Sequence, residues 1–388
     1  MMIIMKEKIL RFKYMIIPIL MFLILGIGGA IVLALEFSAH SLSKIPTVIV
    51  DHDNSLSTQA FIRQIKTNSK FNVVAYSQTD NDVKDLIDKG KVAIGFIIPE
   101  HFSKDLTDGK NPQIMVIYDG AQMAMTSSSR TRVAQILGTI KSAYLIGVAE
   151  GKLGLMPEVA ANYINPIRYN SRIIGNPTEN MFNFFIPGFA INTMQVGMII
   201  VVILLINKGN SYKNIWIKGI MVGLLASISV FIILAIYCKY FGLPYRGSVE
   251  AGIMLTILFC IGMTFVGILL SILFNRNQID AVGLAGPIAI SLFLVGYTFP
   301  SVAMPDIIPM IAKYIPFYYY AIPLRDLSLI GGSFQDNLSN IFWLTKFMIF
   351  MWVTTFLLYK MKEAKRLRNI KIDEKNSIIN GQDAEVII

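Results

Sequence analysis

Few residues in this sequence could do covalent or metal chemistry. The three histidines, His40, His52 and His101, lack metal-ligand spacing and have no cysteine beside them, so surface positions account for them better than a metal site. Asp51 and Asp53 flank His52 next to a Ser-containing turn, as a catalytic group would. The same residue types are the usual caps of a helix start, and that reading is preferred. Cys238 and Cys260 lie in or beside apolar runs, where they pack as small hydrophobes. No Gly-x-x-x-x-Gly-Lys-Ser/Thr loop cradles a nucleotide, and LIGGS at Leu329–Ser333, a faint likeness of an ATPase signature, reads as a turn. The chain is therefore not read as an enzyme, and no metal or cofactor is expected on it. What stands out instead is polar side chains inside apolar runs. Asn192, Thr193 and Gln195 are the densest such group, with Ser291 a weaker fourth; they either line a path for a solute or hydrogen-bond helices together.

The elements that hold these residues are set by composition. Of 388 residues, 54% are hydrophobic and 15% charged, where a soluble chain holds about 25% charged; mean hydropathy is +0.57. A hydrocarbon core about 30 Å thick takes roughly 20 apolar residues of α-helix. Six runs qualify: Met15–Leu35, Phe184–Ile206, Gly219–Tyr237, Ala251–Phe274, Ala281–Phe299 and Ile341–Tyr359, with Lys346 the one charge inside them, placed to snorkel. The expected fold is a polytopic α-helical membrane protein of six transmembrane helices. The first run is longer than the roughly 7–15 apolar residues of a cleaved signal peptide, so it is read as a retained helix.

Basic residues resist translocation. They crowd before the first run (Lys6, Lys8, Arg11, Lys13), between the second and third (Lys208, Lys213, Lys218) and after the sixth (Lys360, Lys362, Lys365, Arg366, Arg368). Both termini are thus expected in the cytoplasm, residues 1–14 as an amphipathic segment and 360–388 as a basic tail. The net charge of +10 then calls for no nucleic-acid partner; it suits membrane lipid.

Residues 36–183 have the composition of a soluble protein and alternate strand and helix patterns, KIPTVIVD, FNVVAYS, KVAIGFIIP and PQIMVIYD being the strands. An inserted extracytoplasmic α/β domain with a mainly parallel sheet is expected. Residues 184–359 hold the remaining runs. Between 300 and 323, Pro300, Pro305, Pro309, Pro316 and Pro323 rule out a straight helix. Either a re-entrant element of short half-helices or an ordinary outer loop follows, with Phe317–Tyr320 at the membrane interface.

The order of these features resembles that of permease subunits of ABC-2 type transporters, the type V ABC exporters, in the subgroup with a large domain between the first two helices. Pro187 and Gly188 at the second run, and Gly296, Pro300, Met304, Pro305, Pro316, Tyr319 and Arg325 around the Pro-rich segment, stand at the family's motif positions. The resemblance runs from about Lys6 to about Met361. It implies a multi-pass cell-membrane protein, bacterial, that pairs with a second permease chain as homodimer or heterodimer and with a cytoplasmic ABC ATPase on which ATP and Mg act. It also implies an ATPase contact through the segment holding Arg11 and the loop holding Lys208, Gly209, Lys213 and Trp216, although the loop lacks the acidic residue common in the family. The first segment could equally be a basic helix lying on the membrane. The implied function is export of drug-like or other hydrophobic molecules; lipids, peptides or polymer precursors are alternatives, as is a receptor or secretion accessory that transports nothing. Asn192, Gln195 and Ser291 are the candidate substrate path.

Overall fold

The computed structural model of the chain describes residues 2–39, 44–121, 123–165, 175–176, 180–207 and 209–385. Two units follow from its internal packing: residues 40–172 form one, and residues 1–39 with 173–388 form the other. His40 and Lys208 lie outside the described residues.

In chain order, helix α1 spans Met2–Ala39, with Ile16–Phe37 its apolar stretch. The smaller unit then runs β1 (Ile45–Asp51), α2 (Leu56–Thr67), β2 (Phe71–Ser77), α3 (Asp80–Asp88), β3 (Ile94–Ile98), α4 (Phe102–Thr107), β4 (Met115–Tyr118), α5 (Met123–Leu153) and α6 (Pro157–Ile164). Its sheet has the order β2-β1-β3-β4, with β1 parallel to β2 and β3, and β4 antiparallel to β3. Successive strand side chains point to opposite faces, which explains why β1 is apolar throughout. Ile45 and Ile49 join Phe61, Ile65, Phe96 and Val133 on one face, while Val48 and Val50 join Val83, Val92 and Ile97 on the other.

The β1–α2 turn is built by side chains that cap backbone. The Asp51 carboxylate accepts from the N–H groups of Asp53 and Asn54, both at 3.1 Å, and from the Thr58 hydroxyl at 2.8 Å; Ser55 and Thr58 form a capping box at the start of α2. Asp53 accepts from the Ser103 N–H at 3.2 Å, tying α4 to this turn. His52 pairs with Asp80 at 2.9 Å, and His101 takes the left-handed conformation (φ 59°) ahead of α4. Among the described residues no group of three or more His, Cys, Asp or Glu is placed to hold a metal ion.

The larger unit continues with α7 (Met181–Leu205), α8 (Tyr212–Tyr240), α9 (Val249–Leu273), α10 (Gln278–Gly283), α11 (Ser291–Leu294), α12 (Ile307–Ala312), α13 (Tyr318–Leu329) and α14 (Leu338–Glu385). Five described helices are long and apolar enough to cross a membrane: Ile16–Phe37 within α1, then α7, α8 and α9, and Gln335–Asn369 at and within α14. Of these α7 is the most enclosed and α1 the least. Helix α1 reaches α7 through small residues. A Cβ on Gly26 would meet the Met194 sulfur at 2.4 Å, Ala30 and Ala34 are buried, and the Tyr237 hydroxyl of α8 donates to the Ala30 carbonyl at 2.8 Å.

The fifth expected span is where the structure departs from the sequence reading. Ala281–Phe299 is not one helix: α10 ends at Gly283, a 3₁₀ turn runs Gly286–Ile290, and α11 lasts four residues. The run has the length and apolarity of a span, but Gly283, Gly286 and Pro287 interrupt it and Gly296 (φ 78°) ends it. Glycine favours non-helical backbone, and proline removes a helical donor. The Pro-rich segment that follows folds as the short helices α12 and α13.

One electrostatic consequence can be checked in the smaller unit. Burial opposes ionisation of Asp53, but hydrogen bonds from Ser55 and Ser103 outweigh it and hold the carboxyl below its ordinary value of 3.8. A depressed carboxylate contributes stability that is complete above that value and is lost as pH falls through the lowered one. Hydrogen exchange of the 99–107 segment, corrected for intrinsic rate, is therefore expected to lose protection on acidification below 3.8. In Asp53→Asn the protection should already be reduced at neutral pH and no longer vary with acid; an unchanged profile would contradict the assignment.

Candidate functional site

The polar residues of α7 meet the broken fifth segment. Asn192 and Gln195 project from adjacent turns of α7, and Ser291 sits at the first turn of α11; all three are buried. Asn192 Nδ2 donates to the Ala289 carbonyl at 3.1 Å, Gln195 Nε2 to Ser291 Oγ at 3.3 Å, and Ser291 Oγ to Asn192 Oδ1 at 3.4 Å. Gln195 Oε1 is left buried without a hydrogen-bond partner. Thr193 stays apart, bonding back to the Phe189 carbonyl on an exposed face. The structure thus brings Asn192, Gln195 and Ser291 together, about a backbone segment whose amides and carbonyls are not all used by helix. Chemically the cluster can exchange hydrogen bonds, and nothing in it can abstract a proton or attack a bond.

Next to it lies an aromatic cluster that holds a cation. Arg325 of α13, with its side chain 14% exposed, places its guanidinium 4.2 Å from the Phe184 ring centroid and 4.7 Å from that of Tyr297, and donates to the Tyr297 carbonyl at 3.0 Å. Tyr297 in turn packs on Gly188: a Cβ there would fall 2.1 Å from the ring. Phe317 and Tyr320, expected at a membrane interface, turn inward instead and are buried, Tyr320 stacking on Phe259 at 4.3 Å and bonding Thr256 at 3.1 Å. Phe317 is the N-cap of α13 and Tyr320 stands on its first turn, and both rings pack on Phe259 of α9. Tyr319 stacks on Trp343 at 3.9 Å and donates to the Lys313 carbonyl at 3.0 Å. Of the motif residues, then, Gly188 and Arg325 meet at Tyr297, which follows Gly296. Pro187 lies beside Gly188 inside α7, whereas Pro300 and Pro305 are exposed, with Met304 extended between them.

At the other end of the unit a basic groove of about 770 Å³ is lined by Gly209, Asn210, Arg276, Tyr359, Lys362 and Arg366, among others. Two of its cations, Lys362 and Arg276, are spent on helix ends, as is Lys218 of α8. Lys362 Nζ donates to the carbonyls of Ile272 and Leu273 at 2.5 and 2.8 Å and to Asn275 Oδ1 at 2.7 Å; Lys218 Nζ donates to the Leu205 carbonyl at 2.6 Å; Arg276 donates to the Asn207 carbonyl at 3.0 Å. Cations at helix C-termini complete carbonyls that the helix leaves over and suit its dipole. Asn275 and Arg276 both take left-handed backbone (φ 49° and 62°), which costs energy for a side chain of arginine's size. Gly209 lines the groove, Lys213 and Trp216 are exposed on the first turns of α8, and Arg11 lies on α1, whose described side chains begin further on. Sequence reading missed Arg276 and Gln278, whose amide donates to the Leu204 carbonyl at 2.9 Å. Their signal was the polar FNRNQ break after the fourth run.

Long apolar helices packed around an enclosed central one, with polar side chains exchanging hydrogen bonds in their midst, make this a multi-pass helical membrane protein. The model of the ABC-2 family transporter proteins matches residues 12–358, and the chain belongs to that family, as the membrane subunit of a transporter. No curated protein and no solved structure matches it significantly.

Overpacking a core costs about 1–3 kcal/mol, so Gly188→Ala should lower the unfolding temperature of the purified protein, with Tyr297→Leu in the same chain recovering part of the loss. Arg325→Lys keeps charge but not the planar stack and should destabilise as well. Thermal unfolding in lipid nanodiscs measures both; an unaltered Gly188→Ala transition would mean that Tyr297 does not pack there.

Proposed function

We propose that this chain is one permease subunit of an ATP-driven exporter that carries drug-like or other hydrophobic molecules out of the cytoplasm or the inner leaflet. The observation that carries the reading is the buried meeting of Asn192, Gln195 and Ser291 with a span-length segment that is not a helix. Non-helical backbone at membrane depth is tolerated only against protein or a water-filled cavity. A broken segment gripped by a few exchangeable hydrogen bonds can also adopt a second packing. In this reading the fifth segment, α10 to α11, crosses or enters the membrane, Pro300 to Pro323 forms a re-entrant element on the outer side, and the α/β unit stands outside the cell.

The basic groove then faces the cytoplasm along with both termini. There a separate ABC ATPase, holding ATP and Mg, would press on Gly209, Lys213 and Trp216, with Lys208 and Arg11 from the neighbouring segments, and a second permease chain would complete the path. The arrangement at the groove favours transmission of force: Arg276 and Gln278 join the end of α9 to the end of α7, and Lys362 joins α14 to α9. A push on the α7–α8 loop would reach Ser291 through about a dozen residues of α10 and the 3₁₀ turn.

The test is co-expression with an ABC ATPase, taken from the same gene neighbourhood where one is encoded there. The two are expected to co-purify, with hydrolysis of ATP faster in the complex than in the ATPase alone. Lys213→Glu with Trp216→Ala should cut that stimulation at least fivefold while leaving the thermal transition of the permease in place. Gln195→Met should leave basal stimulation intact and change only the increment produced by cargo. A chain that retains no ATPase under any condition would sink the export reading.

A further inference from the structure

Away from the polar cluster and the basic groove, the elbow between α13 and α14 encloses a cavity of about 260 Å³. One wall is a single helical stripe, Tyr318, Ile322 and Asp326, spaced four residues apart on α13 and closed behind by Leu327. The other wall is the first turn before α14, with Asp336 and the glycine pair ending at Gly332. The elbow is held in shape by the α8–α9 loop: the Gly247 N–H donates to the Leu327 carbonyl at 2.8 Å and the Ser248 N–H to the Gly332 carbonyl at 2.9 Å. Gly331 takes φ 87°, a conformation that favours glycine.

The lining has a consistent chemical character. It contains two carboxylates and no Lys, Arg or His. Asp336 Oδ2 is engaged by the Ser333 N–H and hydroxyl, both at 2.8 Å, which leaves Oδ1 open. Asp326 has only a 4.0 Å approach from Arg325, whose guanidinium is taken up between Phe184 and Tyr297. An aromatic ring, an aliphatic wall and two carboxylates with no lysine or arginine in the lining are what an organic ammonium ion binds: the charge to carboxylate and ring, the apolar body to the wall. An anion would meet two like charges, and a bare inorganic cation would leave Tyr318 and Ile322 unused.

We propose that this α13–α14 cavity binds a compact organic cation that carries an apolar ring. The proposal concerns binding alone and needs no ATPase, so its outcome is separate from that of the export reading. It is tested on the full-length chain in nanodiscs by titration with benzyltrimethylammonium, with tetramethylammonium, benzyl alcohol and phenylmethanesulfonate as partial probes. Saturable binding of benzyltrimethylammonium at least tenfold tighter than that of either tetramethylammonium or benzyl alcohol is expected, with none for the sulfonate. Asp326→Asn should weaken it at least tenfold, Asp336→Asn less because that group is already engaged, and Tyr318→Leu severalfold. Absence of saturable binding, equal binding of the sulfonate, or unchanged affinity in the Asp326→Asn, Asp336→Asn double variant would overturn the proposal. The ranking of the four probes on the unaltered chain decides it even if a variant fails to fold.

Discussion

A backbone carbonyl freed from a helix needs a donor, and within an apolar phase, where there is no water, the protein must supply it. The larger unit is organised by that requirement. Where the fifth segment breaks, Asn192 supplies the Ala289 carbonyl and Arg325 the Tyr297 carbonyl; where α7 ends, Lys218 and Gln278 supply Leu205 and Leu204; where α9 ends, Lys362 supplies Ile272 and Leu273. The Ser328 hydroxyl does the same for Pro244. Each of these donors comes from a different element than its acceptor, so satisfying local backbone also fixes tertiary packing. Polar residues here work as joints between helices before they can be anything else.

This double use bears on function. A joint made of one or two neutral hydrogen bonds contributes only about 0.5–1.5 kcal/mol net and can be exchanged for another, whereas the Arg325 cluster combines a cation, two rings and a glycine contact and is far harder to rearrange. The fifth segment is therefore held firmly at Tyr297 and lightly at Ser291. Gln195, with one acceptor unpaired, is the place where a changed arrangement would gain a bond as well as lose one.

Much of this was legible from sequence, for identifiable reasons. Apolar length and uncharged composition located α1, α7, α8, α9 and α14, because burying a helix in lipid requires both along its whole length. The alternating strands of the α/β unit were equally plain, their apolar residues being continuous where both faces of β1 and β3 are covered. The break between Ala281 and Phe299 was not, since a hydropathy average is blind to Gly283, Gly286 and Pro287, which are themselves apolar or neutral. Asn192 and Gln195 stood out as polar residues in an apolar run, but their partners lie nearly a hundred positions on, a pairing no single sequence displays. Lys218 and Lys362 read as flanking charge, and their use as caps became visible only once the helix ends were placed. Asp326 and Asp336 share one cavity only because the elbow between α13 and α14 brings them together, which no sequence pattern displays.

The length of α14 carries a mechanical consequence. At about 1.5 Å per residue, its 48 residues extend about 72 Å, more than twice the hydrocarbon thickness of about 30 Å. It is clasped near its middle by Tyr212, which packs on Phe356 and Tyr359 at ring separations of 5.2 and 5.4 Å, and the arm beyond that clasp is about 40 Å long. A swing of about 5° there displaces the free end by about 3 Å, and the shorter arm by correspondingly less. Any tilt of α14 about that clasp would therefore be larger at its far end than among the helices it packs against, as in an unequal lever.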